Sequence, residues 1–150
     1  MQLRSDWIDL LRALNAAGVR YLVVGAAALS HHGYPRGTVD FDIWVDPQPN
    51  NAERVYEALT RFGAPMDQVT VEDFERDDTM WIIGAEPLRI DVLTWIDGVR
   101  FDEAWPQRSL LKLGELEVPV LSKGDLIRNK RAAGRSKDLL DLAVLEGRTI

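Results

Sequence analysis

Asp40 and Asp42 lie two residues apart in the run VDFDIWV (residues 39–45), whose other members are all apolar. Alternation along a strand puts both carboxylates on one face with Trp44, and Val39, Phe41, Ile43 and Val45 on the other. Their spacing along the strand is about 7 Å. A third carboxylate, Asp91, stands inside a second apolar run, LRIDVLT. Carboxylates on strands that read as buried are costly unless paired or bound to a metal. Clustered negative charge adds repulsion, which an oxygen-seeking divalent cation relieves. Each piece alone has a plainer reading. A D-x-D pair often marks a solvated strand face, and Asp91 could pair with Arg89 or Arg36 or lie near a strand end. The combination with the upstream segment is more specific. There an apolar run ends at Gly25, ahead of the small-residue stretch AAALSHHG. A glycine between a strand and a helix offers backbone N–H groups to an anion. A phosphate donor upstream and a carboxylate pair downstream together suit a metal–nucleotide site.

The elements that must hold these residues can be read in order. Trp7, Leu10, Leu11 and Leu14 recur at helical spacing, with Ser5 as the expected N-cap and Gly18 as the stop. VRYLVV (19–24) is β-branched and aromatic, which predicts a buried strand. The strand at 39–45 ends at Pro47 and Pro49. A helix follows, with Ala52, Val55, Tyr56, Leu59 and Phe62 as its apolar stripe and Gly63 as its stop. Thr70 and Asp73 have the spacing of a capping box. Strands are predicted at 80–83 and 88–94, and a hairpin at 110–120 turning near Gly114 and Glu115. Two helices close the chain, capped by Ser122 and Ser136. Helices interleaved with five or six strands, some joined as hairpins, predict a mixed α/β sheet in one domain over residues 1–150, with flanking helices and a C-terminal helical pair.

VVGAAALSHHGYPRGTVDFDIWV resembles the signature of the nucleotidyltransferase superfamily with the DNA polymerase β-like palm: a strand, a glycine turn, a short helix, then Asp-hydrophobic-Asp-hydrophobic. The HGYPRGTVDFD segment is similar to small prokaryotic members, including relatives of the AbiEii toxins and the minimal nucleotidyltransferases. RIDVL matches the third family carboxylate at Asp91, and the tail LSKGDLIRNKRAAGRSKDLLDLAVL resembles the end of such proteins. The resemblance spans roughly residues 20 to 145. It implies that Asp40, Asp42 and Asp91 are catalytic and hold Mg²⁺, with Mn²⁺ as an alternative. Asp91 would complete the second metal position and help deprotonate an attacking hydroxyl. Gly25, Ala26, Arg36, Thr38 and Lys130 would bind the nucleotide, with Arg135 and Lys137 next in line. The family turn carries Ser or a second Gly where this chain has Ala26, so backbone N–H groups rather than a hydroxyl are the expected phosphate donors there. The implied activity is transfer of an NMP from an NTP to a hydroxyl on a protein, an RNA end or a small molecule, in a toxin–antitoxin or phage-defence setting. The alternative is a catalytically weak module of the same fold, acting on a partner protein as antitoxin or regulatory subunit.

Composition limits the rivals. The chain has 150 residues, no cysteine, two histidines and a formal charge of −6. The acidic balance argues against a DNA-coating or sequence-specific DNA-binding protein. Residues 121–137 nevertheless hold six bases and one acid, a local +5 that leaves −11 for the rest. That segment is either a solvated helix face or a cationic wall for phosphates. A zinc site is not expected without cysteine, since adjacent His31 and His32 point apart on a helix. No serine has the partners of a hydrolytic triad. The longest apolar run is too short to cross a bilayer, and no signal peptide is predicted, so the expected place is the cytoplasm. Of the five tryptophans, Trp44 is the expected nucleotide neighbour, and Trp7, Trp81, Trp95 and Trp105 are expected in packing roles. A partner protein or a homodimer is compatible with all of this.

Overall fold

The structure, a computed structural model, describes residues 4–34, 40–85 and 89–147. Six strands form one mixed sheet: β1 (Tyr21–Val24), β2 (Asp40–Val45), β3 (Met80–Ile83), β4 (Arg89–Leu93), β5 (Ser109–Leu113) and β6 (Leu116–Val120). Their order across the sheet is β3-β4-β2-β1-β6-β5. β2 runs antiparallel to β1 and parallel to β4, while β1 and β6 are parallel. β3–β4 and β5–β6 are antiparallel pairs at the two edges. The mixed sheet expected from the sequence is therefore present.

The central strands explain their own composition. β1 is buried at all four positions, so a continuous apolar run suits it better than an alternating one. On β2, Phe41, Ile43 and Val45 are fully buried on the face away from the carboxylates, and Phe41 stacks on Trp7 at 4.7 Å between ring centroids. Trp7 belongs to α1 (Ser5–Ala16), which packs on α3 (Pro49–Phe62). Proline starts α3, where its missing N–H costs nothing, and Gly63 ends it in a left-handed conformation at φ 97°.

The carboxylate face is covered differently. The short α2 (Gly25–His31) contacts β2, and α4 (Phe101–Ala104) brings Phe101 edge-on to Trp44 at 5.0 Å. α5 (Lys123–Ala133) and α6 (Ser136–Leu145) pack on each other as the expected C-terminal pair. Ser122 caps α5, its hydroxyl accepting the Asp125 N–H at 3.1 Å, and Asp73 accepts the Thr70 N–H at 2.8 Å in the expected capping box. Two expected caps fall elsewhere. Ser5 and Ser136 are the first residues of their helices, one position inside the cap. For α6, Arg135 is the cap residue, and the Asp138 carboxylate reaches back to its N–H at 3.2 Å. His31 and His32 tie the end of α2 to the far side of the sheet, through Ser109 Oγ at 2.9 Å and the Leu121 carbonyl at 2.7 Å. Among the described residues, no helix is long and apolar enough to cross a membrane.

Candidate active site

The parallel register of β2 and β4 sets Asp42 directly beside Asp91 and Asp40 beside Arg89. Residues up to 51 positions apart in the chain thus bring three carboxylates to one face of the sheet. The antiparallel neighbour β1 places Val24 beside Asp42, so the turn at Gly25 closes over the same carboxylate. Gly25 has φ +65°, and a Cβ built there would overlap the Asp42 carboxyl group, 3.1 Å from its Cγ. Two demands therefore fix glycine at this position: a left-handed backbone, and space for an acidic side chain.

Crowding has an electrostatic consequence. Burial pushes the Asp42 carboxyl up to about 7, and the charge of Asp91, a hydrogen bond with it and the charge of Asp40 push the same way. Arg89 opposes the shift. Its guanidinium forks onto Asp91, with Nε donating to Oδ1 at 2.8 Å and a terminal nitrogen to Oδ2 at 3.2 Å, and Nε lies 4.0 Å from Asp40. Of the two partners expected for Asp91, Arg89 is in place, and Arg36 lies outside the described residues. Among the described residues, no three acidic or histidine side chains converge tightly enough to hold a metal ion in this conformation. The donor chemistry still fits a hard cation. Three carboxylates face one space, and a carboxyl held near 7 by burial and by its like-charged neighbours is a group whose ionised form a divalent cation would favour. In the conformation seen, Arg89 supplies that positive charge.

The carboxylates line a cavity of about 690 Å³. Gly25 and Ala26 line it too, and no side chain caps the start of α2. From the C-terminal pair come Lys130, Arg135 and Lys137. Lys130 is only 8% exposed and sits between Asp138 at 3.4 Å and Asp141 at 3.2 Å, so its charge is already matched. Arg135 also bonds Asp138, at 2.6 Å, but is 65% exposed. Lys137 is exposed and makes no ion pair among the described residues. The basic segment is thus largely consumed internally, with Arg128 on Asp125 and Arg131 on Glu146 as well. Arg36 and Thr38 lie outside the described residues.

The tryptophans change places relative to expectation. Trp44 is 2% exposed, packed on Phe101 away from the cavity, whereas Trp95 is 41% exposed and lines it with Met80 and Asn129. Strand alternation put Trp44 on the carboxylate face correctly. That α4 would cover that end of the face depends on a distant segment, and no local signal in the sequence carried it.

No family model matches the chain, and no curated protein matches it. Solved structures do. A crystal structure of a protein from Thermotoga maritima, provisionally assigned as a nucleotidyltransferase, superposes with a TM-score of 0.61 over 97% of this chain and 96% of that one, at 15% identity. An antigenic nucleotidyltransferase-like protein from Paracoccidioides brasiliensis is matched over 93% of this chain and 74% of the other, at 17% identity and a TM-score of 0.48. The chain has the nucleotidyltransferase-like fold.

Proposed function

We propose that the protein is a Mg²⁺-dependent nucleotidyltransferase of the cytoplasm, moving an NMP from an NTP to a hydroxyl of a protein, an RNA end or a small molecule. The observation that carries this reading is the pairing of Asp42 with Asp91 across β2 and β4, with Asp40 on the same face and Gly25 closed against Asp42. Asp40, Asp42 and Asp91 would hold Mg²⁺, or Mn²⁺ in its place, which when bound neutralises charge developing at the α-phosphorus and on the departing pyrophosphate. Gly25 and Ala26 would donate backbone N–H groups to the phosphates, since the first N–H groups of a helix have no intrahelical acceptor. Arg135 and Lys137 would face the polyphosphate from the start of α6, and Arg36 and Thr38 would add phosphate contacts. Lys130, which lines the same cavity, would serve phosphate binding by holding Asp138 and Asp141 in place beside Arg135, because its ammonium is engaged by both aspartates. Asp91, oriented by Arg89, would help take the proton from the attacking hydroxyl.

The test is transfer of label from α-³²P-labelled NTPs, with Mg²⁺ and lysate as acceptor source. Wild type is expected to label an acceptor, and Asp42→Ala to lose that labelling by at least a hundredfold. Equal labelling by both proteins sinks the assignment.

A second reading keeps the fold and drops the catalysis: a nucleotidyltransferase-like module that works by binding a partner protein, as antitoxin or regulatory subunit. Arg89 seated on Asp91, and Ala26 in place of a hydroxyl-bearing residue, favour it. Absence of transfer with all four NTPs, together with a stoichiometric co-purifying protein, would decide for this reading.

A further inference from the structure

The cavity has two unlike ends. On β4, Arg89, Asp91 and Leu93 alternate onto the same face, and the chain continues past the strand to Trp95. Leu93 lies beside Met80 of β3 in the antiparallel register. Arg89 and Asp91 meet the carboxylates of β2 at one end, while Met80, Leu93, Trp95 and Ile96 make a mainly apolar end at the other, with Asp97 and Asn129 beside it. Trp95 is four positions beyond Asp91, past the end of β4, at most about 13 Å along the chain. An extended nucleoside triphosphate covers that span.

Trp95 is the one tryptophan of the five left out of packing. Trp7 and Trp44 are core residues, and Trp81 and Trp105 pack against the core. Trp95 stays 41% exposed and Met80 43% exposed, both on the cavity wall. A large exposed apolar surface within a polar cavity gains most when a flat apolar group covers it. An indole face offers stacking to a nucleobase without demanding a particular hydrogen-bond pattern. Its bicyclic ring overlaps a purine more fully than a pyrimidine.

We propose that Trp95, with Met80 beside it, is the platform on which the base of a purine nucleoside triphosphate stacks while the triphosphate lies toward Asp40, Asp42 and Asp91. The proposal rests on the nucleotidyltransferase reading and adds the class of nucleotide to it.

Calorimetry on the full chain with Mg²⁺ tests it, using ATP, CTP and inorganic tripolyphosphate as probes. Wild type is expected to bind ATP more tightly than either CTP or tripolyphosphate. Trp95→Ala should weaken ATP about tenfold, erase the preference over CTP and leave tripolyphosphate unchanged. Trp95→Phe should retain most of the ATP affinity. Unaltered circular dichroism of each variant keeps the comparison clean. ATP affinity that is unchanged in Trp95→Ala, or no higher than that of tripolyphosphate in wild type, overturns the platform and leaves the nucleotidyltransferase reading standing. Failure of wild type to bind either ATP or tripolyphosphate overturns both.

Discussion

Asp42 is crowded from two sides, by Gly25 and by Asp91. Its carboxyl titrates near 7 because burial and two neighbouring carboxylates penalise its ionised form. In the unfolded chain the same group titrates near 3.8. Between those values the folded protein holds a proton that the unfolded chain has released, so stability falls as pH rises from about 4 to about 7 and levels off above. Asp42→Asn removes the ionisation and should abolish that part of the slope. In metal-free buffer, urea titrations should show the two proteins drawing level near pH 4. The Asp42→Asn variant should then gain on wild type by roughly 2 to 4 kcal/mol at about pH 8. Parallel pH profiles for the two proteins would show that the carboxylates are not coupled as described.

At the scale of elements, the C-terminal helical pair owes its geometry to charge as much as to apolar packing. Leu126 of α5 and Leu142 and Leu145 of α6 are buried, yet between the helices Lys130 stands against Asp138 and Asp141, all three nearly inaccessible. Removing the cation from between two buried carboxylates costs far more than losing an exposed pair. Lys130→Ala should therefore lower the unfolding free energy by about 3 to 5 kcal/mol in urea denaturation. Arg131→Ala, which breaks a more exposed pairing with Glu146, should change it by under about 1 kcal/mol. A Lys130 variant as stable as wild type would mean the ammonium is not structural and is available to phosphate. The spacing K-x₇-D-x₂-D could be seen in the sequence, and so could the opposite charges. That this lysine would be enclosed by them, rather than turned toward the site, depended on how closely α6 folds back on α5.

For the whole molecule, the buried cluster runs without a break from Trp7 of α1 through all the central strands to Leu145 of α6. Each helix buries its apolar face against the same sheet or against a helix seated on it, so no part has a core of its own. Thermal unfolding is expected as one transition, with a calorimetric enthalpy near ~100 kcal/mol that equals the van't Hoff value. Two resolved transitions would contradict a single domain. The charge of −6 also takes on a shape at this scale. The basic segment at 121–137 reads as a +5 patch in one dimension, but folding matches most of it with Asp125, Asp138, Asp141 and Glu146. Lys123 bonds the neutral Tyr34 hydroxyl instead of an acid, and what remains at the cavity to meet a polyanion is Arg135 in part and Lys137.

Most element positions, and the face on which the chemical groups of β2 stand, were legible in short runs of residues. Period-two alternation sets Asp40 and Asp42 on one face, helical periodicity marks the buried stripe of α1, and Gly63 marks where α3 stops. These are short-range effects of backbone geometry, carried in full by neighbouring residues. Which groups meet was set by long-range packing. It set Asp91 beside Asp42, laid Arg89 across the carboxylates, buried Trp44 under Phe101 and left Trp95 open at the cavity. Each of those outcomes depends on the register between strands or the seating of a helix. Such contacts are chosen by the packing of the entire core, and no local run of residues records them.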